Sequence, residues 1–393
     1  MPSLIAWLDA SSDEQRRMRE IIKLFSDRDS RDELGIGSIR DGLSDALFPG
    51  TSVLLTRARY LLFVPWCYQL AARKPDPIVA VDRYQRELIH GIRDAGGDFA
   101  GLIGVRVGDA LKTLPSTIYW TPLRAYGILV DPDALEQAAA IVTDDDLDGH
   151  RTVLNPWSST LPPSPVGFPT QIAGGFQLSR QEAGWLGEKI LESAPGSLLA
   201  HLINDAPADD SAMPWHDEAA LRVQGDARSV LDAARHFSTA MYGAQLLYNL
   251  LLANEAAALS EDTSEELSDR YRGRLAEWTA SADFAALENW RESDLWRLLS
   301  ARHARIPART TQFVDNWLAI IRSTPGGDVA DSLAAHDFVR VRERTHKGAQ
   351  ARLGNPRRLG GWRGGSGDGQ LQFRWSTVRG ILRDIHDGLV QDA

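Results

Sequence analysis

The chain of 393 residues has one cysteine, Cys67, and four methionines. A lone thiol closes no internal disulfide and supplies no multi-cysteine zinc site, so the composition fits a reducing compartment. Long apolar runs are lacking as well. The longest strong one, 60–68, is far short of the roughly 20 residues that a membrane-spanning helix needs. The start, Met1-Pro2-Ser3-Leu4-Ile5-Ala6-Trp7-Leu8-Asp9, has no basic lead-in and too short an apolar stretch for a signal peptide. The expectation is a cytoplasmic protein without a membrane contact. No Gly-x-Ser-x-Gly, His-Glu-x-x-His, phospholipase or kinase signature occurs, and no repeat at 20–50 residues. The Gly-x-x-Gly-x-Gly at 364–369 follows no strand pattern and has no Lys-Ser/Thr, which argues against a nucleotide cradle. No cofactor and no metal site is expected.

What is present describes an ordinary globular chain, 43% apolar and 24% charged, long enough for two or three domains. Its net charge is −10, unevenly spread. Segment 339–381 carries ten Lys/Arg against two Asp/Glu, a net of +8, which leaves −18 for the rest. A basic segment on an acidic body suits a polyanion contact, or internal pairing of the two.

Hydrophobic spacing is helical almost throughout. The reading is a mainly α, multi-helical protein in three parts: an N-terminal helical domain at 1–150, a helical domain at 151–335, and a basic Gly/Arg-rich module at 336–393. Helices are expected at 11–25, 53–73, 79–95, 135–142, 227–258, 264–280, 283–300 and 309–322. Ser179 with Glu182 is a capping box. Between 99 and 135, two short helical stretches followed by Ile128-Leu129-Val130 write the outline of a winged helix. Its contact candidates are Lys112, Thr117, Tyr119 and Arg124. The acids at 143–150 read as a solvated loop without calcium-ligand register. Those at 205–218 sit in Pro- and Ala-rich loop. Arg235, Tyr242 and Asn249 recur every seven residues on the longest helix, a polar line that reaches a pocket or is hydrogen-bonded structure.

The densest stretch is 32–68. Ser38 reads as the cap of a first helix bearing Ile39, Leu43 and Leu47. Phe48-Pro49-Gly50 stops it, and Thr51 or Ser52 caps the next. Asp41 and Asp45 share one face, with Arg40 beside them and Arg57 and Arg59 one helix later. These five residues make a candidate pocket, a carboxylate or arginine pair facing a ligand. The plainer reading is an ion pair locking two packed helices.

The runs Gly35-Ile36-Gly37-Ser38-Ile39-Arg40-Asp41, Leu47-Phe48-Pro49-Gly50, Arg57-Ala58-Arg59-Tyr60 and Phe63-Val64-Pro65-Trp66 resemble a bacterial domain-of-unknown-function family, family 6361. The resemblance extends through Ala234-Arg235-His236-Phe237-Ser238 and 243–249 to Phe373-Arg374-Trp375. It implies a setting beside helicase-like and phospholipase-D-like proteins of anti-phage systems, and no activity.

In the C-terminal module, basic residues alternate with aromatics. Phosphate contact with base stacking needs this combination. The nucleic-acid candidates are Arg340, Arg344, Lys347, Arg357, Arg358, Trp362, Arg363 and Arg374. The expected function is therefore a non-enzymatic, nucleic-acid-associated component of a multi-protein bacterial defence system, with further protein partners. The alternatives are an enzyme such as a nuclease using Asp41 and Asp45 with Arg57 or Arg59, and a protein-binding scaffold.

Overall fold

A computed structural model describes residues 32–96, 98–132, 155–259, 264–324 and 328–391. Among them are fifteen α-helices and, in place of a sheet, one isolated antiparallel bridge between Leu129 and Trp157. The protein is mainly α. In chain order the helices begin with α1 (Gly37–Leu47), α2 (Tyr60–Ala71), α3 (Pro77–Asp94), α4 (Pro115–Ala125), α5 (Arg180–Ser193), α6 (Leu198–Asn204) and α7 (Glu218–Leu221). Then come α8 (Gly225–Ala257), α9 (Ser264–Ser281), α10 (Phe284–Asn289), α11 (Glu292–Ala301) and α12 (Ala308–Ser323). The last are α13 (Leu333–Lys347), α14 (Pro356–Leu359) and α15 (Trp375–Val390). The expected helices at 11–25 and 135–142 and the acidic loop at 143–150 lie outside the described residues.

The chain forms two compact units. The first takes the described residues of Phe48–Val223 and Arg374–Ala393, the second those of Arg28–Leu47 and Gln224–Phe373. Boundaries therefore fall at 47/48, 223/224 and 373/374, where composition suggested 150/151 and 335/336. The expected boundary at 335/336 lies within α13 and that at 150/151 outside the described residues; unit membership follows which apolar faces cover each other. Helix α1 buries Ile39, Leu43 and Leu47 and packs on α8; α15 buries Val378, Ile381, Leu382 and Ile385 and packs on α5 and α6.

In the first unit, α2 is buried on nearly every side and packs on α3 and α4. It starts at Tyr60 and not near 53, with no side-chain cap from Thr51 or Ser52. The N–H groups of Thr56 and Arg57 donate instead to the Tyr119 hydroxyl at 2.9 and 3.0 Å, and that of Ala58 to Asp384 at 2.8 Å. The stretch expected as a winged helix, 99–135, is described as far as residue 132. Residues 105–114 hold only a 3-10 turn, Gly108–Ala110, and α4 runs on through Pro122. Residues 128–130 make the single bridge to Trp157, and Thr117 and Tyr119 are core. The capping box is present: Ser179 accepts from Glu182 N and Glu182 from Ser179 N.

The second unit is built on α8, 33 residues and so about 50 Å long. Its broad apolar arc is covered by α1, α9, α10, α11, α12 and α13. Gly243 makes the tightest of these approaches possible. A Cβ there would stand 2.5 Å from the Trp278 ring, whose Nε1 donates to the Thr239 carbonyl at 2.9 Å. The helix expected at 283–300 breaks into α10 and α11 at Trp290 and Arg291. Arg322 takes the carbonyls of Leu287 and Trp290 there, so the break leaves them satisfied.

Candidate nucleic-acid interface

The basic C-terminal segment of the second unit is organised around two buried acids. Glu343, fully buried on α13, accepts from the Tyr248 hydroxyl at 2.7 Å and from the backbone N–H of Arg352 and Leu353 at 2.8 and 2.9 Å. Glu33, 4% exposed, accepts from Arg352 Nη1 at 2.9 Å and from Lys347. Burial, with Glu343 beside it, pushes the Tyr248 phenol well above its ordinary range. The phenol therefore stays a proton donor that holds the two segments together.

Other cations of the segment are spent in the same way. Arg340 pairs with Glu255, which also takes the Gly354 N–H at 2.7 Å. Arg342 donates to the carbonyls of Leu34 (2.7 Å), Gly35 (3.0 Å) and Arg309 (3.0 Å) and lies 4.5 Å over the Phe313 ring. Burial lowers the Arg342 pKa and the neighbouring Arg309 charge adds to this, with Asp32 opposing. In the first unit, Arg374 bonds the Thr51 carbonyl and Arg379 that of Ser211. Four of the ten are left: Arg344, Arg357, Arg358 and Arg363 are exposed, and their side chains have no hydrogen-bond or ion-pair partner among the described residues.

These four are held close in the chain by a tied-down loop. Arg344 ends 4.0 Å from where a Gly354 Cβ would stand. Asn355 caps α14, the short helix that carries Arg357 and Arg358, by accepting from Arg358 N at 3.3 Å. The Gly-rich strap that follows lies on α8 and α9. Asn249 exchanges two 2.9 Å bonds with the Ser366 backbone, and Tyr271 donates to the Gly364 carbonyl at 2.7 Å. Arg274 pairs with Asp368. Thus Asn249, one of the heptad-spaced polar residues, is hydrogen-bonded structure; Tyr242 meets Arg274 and Arg235 meets Asp283. Trp362 is only 9% exposed, beside Tyr271, so its ring face is not presented to a base. Trp362, the expected stacking platform, packs inward in this structure.

The candidate-pocket residues are shared between the units: Arg40, Asp41 and Asp45 lie in the second, Arg57 and Arg59 in the first. Asp41 pairs with Arg40 at 2.9 Å, and Asp41 and Asp45 are exposed on α1 in the second unit. Arg57 and Arg59 belong to the first unit and take carboxylates there. Arg57 grips Asp384, with Nε 3.0 Å from both oxygens and Nη2 2.9 Å from Oδ1. Arg59 reaches Glu182 at 3.0 Å and the carbonyls of Ala173 and Gly175. Ser38 is not the cap of α1; the Asp32 carboxylate accepts from Ile36 N and Gly37 N at 2.7 Å each. Three acids of 205–218 take structural roles. Asp217 caps α7, Asp205 pairs with Arg222, and Asp209 with Arg383. No group of three His, Cys, Asp or Glu side chains gathers around a metal position among the described residues.

A family model matches residues 2–388, nearly the whole chain. The protein belongs to the family of unknown function DUF6361. In this DUF6361 chain the motifs that carry the likeness are ties within units: Arg57 and Arg59 bind buried carboxylates, and Trp375 donates to the Ser211 carbonyl at 3.0 Å. Neither a curated protein nor a solved structure matches the chain. Among the described residues no helix is long and apolar enough to cross a membrane.

Proposed function

We propose that this DUF6361 protein binds nucleic acid through its phosphate backbone, as a non-enzymatic, cytoplasmic component of a multi-protein bacterial defence system. The setting is the one that the family resemblance implies. The contact rests on one observation: the side chains of Arg344, in the last turn of α13, and of Arg357, Arg358 and Arg363, on a loop anchored at Asn249, Glu255 and Asp368, are exposed and unpartnered among the described residues. The other cations of the segment are consumed internally, so the contact is narrower than composition suggested. A held loop gives up little conformational freedom when its arginines meet phosphates, and guanidinium matches phosphate geometry in a bidentate manner.

The test is a titration of labelled duplex and single-stranded DNA at two salt concentrations. Affinity falls with salt, and Arg357→Glu with Arg358→Glu flattens the log–log slope by roughly 2, about 0.9 for each phosphate that is no longer neutralised. The weakening is equal for all sequences, because phosphate contacts carry no base information. No binding by the wild type at low salt, or a double variant that binds like it, defeats the proposal.

A further inference from the structure

Between Asp294 and Asp315 the sequence contains no acid but four arginines, Arg297, Arg302, Arg305 and Arg309, and His303. Arg297 pairs with Asp294. Arg302, His303, Arg305 and Arg309 are all exposed, on the connection between α11 and α12. The side chains of Arg305, Arg309 and His303 have no partner among the described residues, and Arg302 has only the Leu298 carbonyl at 3.3 Å.

The connection is held, and held in an unusual way. Helix α11 closes with Ala304 N on the Leu299 carbonyl (3.1 Å) and His303 N on that of Ser300 (3.0 Å). In this closure the residue in the left-handed region is usually glycine. Here it is His303, at φ 57°. An imidazole kept where glycine would be less strained suggests a use for the side chain. At the other end, the Thr310 hydroxyl bonds the Gly35 carbonyl at 3.2 Å, and Arg342 bonds the Arg309 carbonyl. Arg342 belongs to α13, whose last turn carries Arg344 and whose His346 meets the Asp32 carbonyl at 3.0 Å. The start of α12, with Arg309, and the end of α13, with Arg344, are therefore fastened side by side. Asp32, at this junction, spends its carboxylate on Ile36 N and Gly37 N, and Asp41 of α1, which packs on α11, pairs with Arg40.

We infer that Arg302, Arg305 and Arg309, with His303, form a second phosphate-contacting element, continuous through Arg342 with Arg344 at the end of α13 and the loop after it that carries Arg357, Arg358 and Arg363. The inference rests on the phosphate-backbone reading and extends its footprint to residues outside the basic C-terminal segment. Acid-free arginines on a rigid connection favour a repeating phosphate array over an acidic peptide, whose carboxylates hang from a flexible chain.

The experiment uses the full chain and a labelled 20-base-pair duplex at several salt concentrations, with wild type and three double variants. These are Arg305→Glu/Arg309→Glu, Arg357→Glu/Arg358→Glu, and, as an equal charge change in the first unit, Arg73→Glu/Lys74→Glu. The expected result is that Arg305→Glu/Arg309→Glu keeps the wild-type melting temperature, flattens the salt slope by about 1–2, and adds to the effect of the Arg357/Arg358 pair. The first-unit pair should change the slope by much less. If Arg357→Glu/Arg358→Glu weakens binding but Arg305→Glu/Arg309→Glu binds like wild type, the second element is refuted and the first contact stands. Equal weakening from the first-unit pair also refutes it, since the effect is then bulk charge. Tighter binding to poly-aspartate than to duplex, removed by the Arg305/Arg309 pair, assigns the surface to an acidic protein instead. Absence of duplex binding by the wild type overturns both readings.

Discussion

Phe48 stacks on Trp375, with ring centroids 5.9 Å apart and planes 30° apart. Both residues stand just past unit boundaries, at 47/48 and 373/374. Arg374, at φ 69° after Phe373 at φ 51°, donates to the Thr51 carbonyl at 2.7 Å. One aromatic contact and one hydrogen bond thus fix the two places where the chain passes into the first unit. Trp375 is fully buried, so Trp375→Ala should cost roughly 3–5 kcal/mol by cavity formation. Urea denaturation followed by tryptophan fluorescence measures it; a cost under about 1 kcal/mol would show that this contact is dispensable.

Arg57→Ala should cost about 3–5 kcal/mol, because it strands the Asp384 carboxylate, 9% exposed, without its charge partner. Burial already raises the Asp384 pKa, and Arg57 and the Ala58 N–H pull it back. Without Arg57 it rises further. A buried acid with a raised pKa destabilises only when ionised, so the deficit of Arg57→Ala shrinks as pH falls toward the carboxylate range. Adding Asp384→Asn should recover part of the deficit at pH 7. Denaturation curves at pH 7 and pH 5 decide: a pH-independent deficit contradicts the assignment.

Gly243→Ala should destabilise the second unit by about 1–3 kcal/mol, since the new methyl would stand 2.5 Å from the Trp278 ring. Glycine is ordinarily the worse helix former by up to about 1 kcal/mol, so a stabilised Gly243→Ala variant would mean that α8 and α9 do not approach so closely.

The Gly-rich strap should release in acid. Burial alone would raise the Asp368 carboxyl, but the hydrogen bonds from Arg274 and Tyr271 and the Arg274 charge outweigh it and hold the carboxyl below its usual range. Its contribution is therefore complete above an unfolded value near about 3.9 and is lost as pH falls through the lower folded one. Protection factors for amide exchange at 364–369 should fall over that window. In Asp368→Asn they should be lower throughout and independent of pH.

Trp362→Phe should leave the affinity for single-stranded DNA unchanged and hold or raise stability. The indole Nε1 is buried without a hydrogen-bond partner, and removing an unsatisfied donor removes its desolvation cost, about 1–3 kcal/mol. A selective weakening of single-stranded binding would restore a stacking role.

The helical class, the Ser179–Glu182 capping box and the span of α8 were legible because they depend on local spacing and local caps. The partners of Arg57 and Arg59 were not. Asp384 lies 327 residues from Arg57 and Glu182 lies 123 from Arg59. Nothing local distinguishes these acids from Asp41 and Asp45, which are nearer in sequence. Trp362 looked exposed because it sits among arginines and glycines, yet an aromatic ring in a glycine-rich loop can be the part that anchors the loop. Arg302, Arg305 and Arg309 lie outside the C-terminal segment in which basic charge is densest. The acid-free run between Asp294 and Asp315 was the available signal.

Biosynthesis completes the first unit last. Its helix α15 leaves the ribosome only after the 150 residues of 224–373. At about 5–20 residues per second, the first unit waits roughly 8–30 s with Arg57 lacking Asp384 and Phe48 lacking Trp375. A nonsense codon within the stretch that encodes α15 would then damage the unit most of which was translated first.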